Sequence, residues 1–108
     1  MYNYKAKINE VCDGETVMAI VDLGFSNYKE LKLRLYGVNA PKILDEEREA
    51  GIMTRDLLKE KILNKEVEIH SYKNRINGAE SYLVTILLGD TNINRWLIDN
   101  GHAEPLKN

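Results

Sequence analysis

Leu31-Lys32-Leu33-Arg34-Leu35-Tyr36-Gly37-Val38-Asn39-Ala40-Pro41 reads as a strand that runs into a stop. Leu31, Leu33 and Leu35 alternate with Lys32, Arg34 and Tyr36. A pleated strand sends alternate side chains to opposite faces, so the leucines share a buried face and Arg34 and Tyr36 are neighbours on the other. Pro41 interrupts the β pattern. Beyond it, Asp45 to Leu63 reads as a helix. Asp45, Glu46 and Glu47 suit its positive N-terminal end, and Ile52, Leu57, Leu58, Ile62 and Leu63 give it an apolar side. Gly51, inside that helix, is expected to weaken or kink its first turns.

Working outward, Tyr2 to Val11 alternates at period two, as a half-buried strand does. Asp13-Gly14 marks a tight turn, and Thr16 to Leu23 is a β-rich run that pairs back on the first strand. Gly24 and Ser26-Asn27 bend the chain into the third strand, which completes a meander. Downstream, Glu66 to Tyr72 is a fourth strand, Asn77-Gly78 a hairpin loop and Tyr82 to Leu88 a fifth strand. Asn92 to Asn100 reads as a short second helix bearing Ile93, Trp96 and Leu97, stopped by Gly101. The expected fold is α+β and mainly β: a five-stranded OB-fold-like barrel with one main helix after strand 3 and a short helix near the C-terminus. One domain is expected over residues 1–108.

Composition narrows the function classes. With 44% hydrophobic and 30% charged residues, the chain is neither disordered nor membrane-embedded in character. Its longest apolar stretches fall far below the roughly 18 residues of a membrane span, and no signal-peptide core opens it. A net charge of −2 is not the footprint of a protein that tracks long nucleic acid, so nucleotide binding is expected from a local pocket. The single cysteine, Cys12, has no partner for a disulfide, and no Cys/His cluster has zinc spacing. A cytoplasmic protein with a buried, structural thiol is the expectation.

Three segments carry a pattern in combination: Val11-Cys12-Asp13-Gly14-Glu15-Thr16, then Arg34 to Pro41, then Asn92-Ile93-Asn94-Arg95-Trp96-Leu97-Ile98-Asp99-Asn100-Gly101-His102-Ala103. In order and spacing they resemble the staphylococcal-nuclease (thermonuclease-like) family over nearly the whole chain. The resemblance implies a calcium-dependent phosphodiesterase on DNA or RNA, in which carboxylates hold the cation, a glutamate activates water and two arginines brace the phosphate.

Most positions matched to that machinery are changed. Glu15 stands for a metal-holding aspartate, adding a methylene that moves the oxygens by about 1.5 Å. Asn39 stands for the second ligand, and Ala40 for a threonine whose backbone carbonyl could still serve a metal. Lys42 stands for the general-base glutamate, and a protonated lysine cannot take a proton from water. Arg34 matches one family arginine, whereas Ser81 aligns with the other; Arg75 is a candidate to reach in from the loop. The three positions that are acidic in the family sum to zero here, which weakens the attraction for a divalent cation and the repulsion toward bare phosphate together.

Each residue also has a plainer reading. Arg34 and Lys42 fit a solvated strand and a surface charge near a helix start, and Glu15 and Asn39 fit turns. Tyr36 and Tyr82 could stack on a base or pack on the core. His70 and His102 have no serine or cysteine placed for activation and read as structural, and Trp96 as core.

The leading expectation is a catalytically degenerate domain that binds a nucleotide or cyclic oligonucleotide without cutting it. Arg34, Tyr36, Lys42, Arg75 and Tyr82 are its candidate ligand-binding residues, with no cofactor and no metal expected. Such a domain is compatible with a viral sequestering protein acting against nucleotide-signalling defence, and a site completed between subunits would make it a homo-oligomer. The alternatives are a calcium-dependent nuclease, in which Glu15 and Asn39 hold metal and Glu46 or Glu47 supplies the base, and a non-enzymatic protein-interaction scaffold.

Overall fold

The computed structural model describes residues 2–75 and 81–106, with the side chains of residues 73–75 left aside. Five strands form the barrel: β1 (Tyr2–Val11), β2 (Thr16–Asp22), β3 (Tyr28–Leu35), β5 (Glu66–Arg75) and β6 (Ser81–Leu88). Their order is β3-β2-β1-β5-β6, all neighbours antiparallel, and a parallel β3–β6 pairing closes the ring. β1 reaches across both halves, pairing Ala6 with Val21 on one side and with Val67 on the other. Three two-residue strands complete the sheets: β4 (Val38–Asn39), β7 (Thr91–Asn92) and β8 (Glu104–Pro105), with β4 antiparallel to β8.

Alternation fills the interior. Ala6 and Ile8, Val17, Ala19 and Val21, Leu33 and Leu35, Val67 and Ile69, and Val84 and Ile86 all point inward and are buried. A register shift between Ile8 and Glu10 puts one extra residue into β1, so Val11 faces inward after a three-residue step. The alternation of the sequence gives no sign of that bulge.

Between β3 and β5 the chain makes a 3₁₀ turn over Asp45–Glu47 and then the helix α1 (Arg48–Ile62). The helical reading from Asp45 holds, but its first turn is tighter than α. The buried stripe of α1 is Gly51, Thr54, Leu58 and Ile62, whereas Ile52, Leu57 and Leu63 are only half-buried. The helix runs unbroken through Gly51. A Cβ there would lie 2.4 Å from the Lys42 carbonyl oxygen, so the missing side chain lets α1 press against the loop backbone. The second helix, α2 (Ile93–Asp99), is capped by Asn92, whose side chain accepts from the Arg95 amide. Trp96 lies beside the core rather than within it, with Lys61 Nζ 5.2 Å from its ring centre and His102 tilted against it. The third strand begins at Tyr28 and ends at Leu35, leaving Tyr36 in the following turn. The Asn77-Gly78 loop lies outside the described residues.

The β2–β3 turn holds Gly24, Phe25 and Ser26 at positive φ, with Phe25 at +54° and fully exposed. A left-handed conformation costs an L-residue about 1–2 kcal/mol, and this ring buries nothing to offset it. Phe25→Asn is therefore expected to raise stability by up to about 1 kcal/mol in urea unfolding. A loss of stability would show that the ring has contacts in solution.

Candidate functional site

The site is assembled where the β1–β2 turn, the end of β3 and the Pro41–Ile43 loop meet the N-terminal half of α1. In the turn, the Glu15 amide donates to Asp13 Oδ1 at 2.8 Å, and the Cys12 and Asp13 amides both donate to the Thr16 carbonyl. Gly14 gives this turn its place: a Cβ on it would lie 2.6 Å from Thr54 Cγ2 and 2.7 Å from Ala40 Cβ. Gly51 and Thr54, one turn apart on α1, thus seat the Lys42 loop and the β1–β2 turn side by side. Thr54 Oγ1 also donates to the His102 carbonyl, tying α1 to the chain after α2.

Glu15 is the centre. It is 3% exposed, and both of its carboxylate oxygens are engaged. Arg34 Nη2 donates to Oε2 at 2.9 Å and Lys42 Nζ donates to Oε1 at 2.6 Å. Thr16 and Arg34 are cross-strand partners, and the Leu35 amide donates to the Glu15 carbonyl, which brings the two side chains together. A buried carboxylate needs charge-assisted partners, and here it has two. Glu15 is therefore more than a turn-former, and Lys42 more than a free surface charge. The cluster carries one net positive charge, and the side chains of Arg34 and Lys42 are 30% and 48% exposed.

The other candidates fall elsewhere. Asn39 pairs with Glu104 in the β4–β8 ladder and makes no side-chain hydrogen bond to Glu15 among the described residues. Ala40 is buried against Gly14. Ser81 is buried at the start of β6, beside Lys32. Arg75 is not in a loop: it is the last residue of β5, opposite Tyr82, and its side chain is outside the described part. Tyr82 is half-buried and packs on the core. Tyr36 is 46% exposed and stacks on Tyr72, their ring centres 4.2 Å apart. Glu47 Oε2 accepts the Lys42 amide at 3.4 Å, so this acidic run meets the loop backbone, and Glu46 is exposed. His70 pairs with Glu68 on the surface at 2.6 Å.

Cys12 follows β1 and is half-buried. Desolvation and then the Glu10 carboxylate, to which Sγ donates at 3.7 Å, push its thiol up and away from the reactive thiolate form.

One more residue, outside the candidates that the sequence offers, holds the frame of the site. Asn94, in α2, is 5% exposed and uses both ends of its amide. Oδ1 accepts the Ile86 amide at 3.1 Å, and Nδ2 donates to the carbonyls of Tyr36 at 2.9 Å and Val84 at 3.1 Å. It pins the exit of β3 to β6, and the only advance signal was a polar residue between Ile93 and Leu97 on an apolar helix.

Among the described residues no group of three or more His, Cys, Asp or Glu side chains is placed to hold a metal ion, and no helix is long and apolar enough to cross a membrane. No curated protein matches the chain by sequence. The family model described as staphylococcal nuclease homologue matches residues 32–107, more than half of the chain, including Arg34, Asn39, Lys42 and Asn94. With the closed five-stranded barrel and the helix after its third strand, this match places the protein: it belongs to the staphylococcal nuclease family.

Proposed function

We propose that this domain binds a nucleotide or cyclic oligonucleotide through Arg34 and Lys42 and does not cleave it. The observation that carries the reading is the pair of contacts on Glu15, with the Lys42 ammonium on one oxygen and the Arg34 guanidinium on the other. Lysine is in the position where a hydrolytic site needs a base, and its charge is delivered to the carboxylate that would hold a metal. The residues present do not fit a calcium ion. A divalent cation would have to displace both contacts and sit beside two positive groups.

The same arrangement suits a phosphate. Glu15 holds two long cationic side chains in fixed positions, so less conformational entropy is lost when an anion binds. Arg34 offers a planar fork and Lys42 a point charge, a pairing able to grip a phosphodiester from two sides.

The test is to incubate the purified protein with calcium and a panel of single-stranded DNA, RNA and cyclic dinucleotides, then denature it by heat and chromatograph the products. The expected result is intact ligand removed from solution and released by heat, unaffected by chelator. Arg34→Ala should weaken that retention about 10- to 150-fold, the loss of a hydrogen bond to a charged group. Calcium-dependent fragments would overturn the reading in favour of a nuclease. Failure to deplete any compound would leave the protein-interaction scaffold as the better account.

A further inference from the structure

The exposed ring of Tyr36 is held more firmly than a surface tyrosine needs to be. Its amide donates to the Val84 carbonyl at 2.8 Å and its own carbonyl accepts from buried Asn94 at 2.9 Å, so the backbone on both sides of the ring is fixed. Tyr72 reaches across β6 from β5 and lies parallel behind the ring, with centres 4.2 Å apart and planes 21° apart. The Tyr72 hydroxyl in turn contacts Thr85 Oγ1 at 3.2 Å, on β6 itself. One face of Tyr36 is thus backed, while 46% of the residue stays open to solvent.

Its neighbour gives it a use. Arg34 is two residues back, near the end of β3, with Tyr36 opening the turn that follows, so their Cα atoms are at most about 7 Å apart. Its guanidinium is oriented by Glu15, with Lys42 on the far side of that carboxylate. A cationic anchor and a backed aromatic plane side by side form a two-point site for a molecule that joins an anion to a flat ring.

We propose that Tyr36, backed by Tyr72, is a stacking platform for a nucleobase of the ligand whose phosphate is held at Arg34 and Lys42. This rests on the phosphate-binding reading above and adds the base as a second point of recognition. Stacking accepts any base, so the site selects base-bearing phosphodiesters over bare sugar-phosphates rather than one sequence over another. Asn94 is a positioning residue for this platform through the Tyr36 carbonyl.

The experiment titrates two probes by calorimetry: a 5′-phosphorylated thymidine dinucleotide and its counterpart with abasic sugars. Wild type is expected to bind the base-bearing probe about 5- to 150-fold more tightly, the range reported for one stacked base. Tyr36→Ala should erase that difference, Tyr36→Phe should retain it, and Arg34→Ala should weaken both probes alike. Equal affinity of wild type for the two probes, or equal weakening of both by Tyr36→Ala, would overturn the platform while leaving the phosphate anchor standing. Failure of wild type to bind either probe would overturn both.

Discussion

An Asn94→Leu variant is expected to lose about 3–5 kcal/mol of stability, a large share of the 5–15 kcal/mol that holds a small domain. Leucine has nearly the same shape, so the loss does not come from a cavity. It comes from the Ile86 amide and the Tyr36 carbonyl, which the Asn94 amide now satisfies and which would be left unpaired, while the Val84 carbonyl would keep only the Tyr36 amide. Asn94→Asp separates this account from simple packing. An ionised aspartate can still accept from Ile86, but its other oxygen would face two carbonyls. The folded state would favour the protonated acid, raising its folded pKa above the unfolded value. Part of the stability is therefore recovered below the unfolded value of about 4 and lost as pH rises through the folded pKa. Urea unfolding of both variants between pH 3 and 7 measures this, and a pH-independent Asn94→Asp would refute the arrangement of the three bonds.

Gly51→Ala is expected to destabilise by about 3 kcal/mol, although alanine is the better helix former by about 1 kcal/mol. The added Cβ would meet the Lys42 carbonyl oxygen at 2.4 Å, its carbon at 2.6 Å and the Ile43 nitrogen at 2.9 Å, all main-chain atoms that cannot rotate aside. Either α1 or the loop must move. Because Lys42 donates to Glu15 at 2.6 Å from that loop, the movement should loosen the cationic cluster as well. The signature is a lower unfolding midpoint together with weaker phosphate binding. A gain in stability, as helix propensity alone dictates, would show that the helix does not approach the loop this closely.

The barrel could be read from the sequence because its signals are local. Alternation in Leu31–Leu35, the turn at Asp13-Gly14 and the break at Pro41 each depend on neighbours in the chain. What could not be read depends on contacts between distant residues. Gly51 looks like a flaw in a helix until Lys42, nine residues earlier, is found against it. Glu15, Arg34 and Lys42 each stand out in the sequence pattern, but that Glu15 joins the other two depends on contacts that span 19 and 27 residues. Tyr72 carries no signal at all, since its partner Tyr36 stands in the turn after β3, on the far side of β6. The limits of α1 moved by a 3₁₀ turn because the acidic run Asp45–Glu47 favours any positive helix end, tight or regular.

The parallel β3–β6 seam closes the barrel and, like the β1–β5 pairing, joins residues far apart in the chain. It joins Leu33 to Tyr82 and Arg34 to Leu83, residues separated by the whole of α1 and β5, and no short hairpin can form it early. Such pairings come late in folding, after their loop-closure entropy has been overcome. Arg34 and Tyr36 stand at that seam, so the proposed anchor and platform are complete together only once it has closed. A ligand held there would bind the native state alone, and its concentration would raise the melting temperature by mass action.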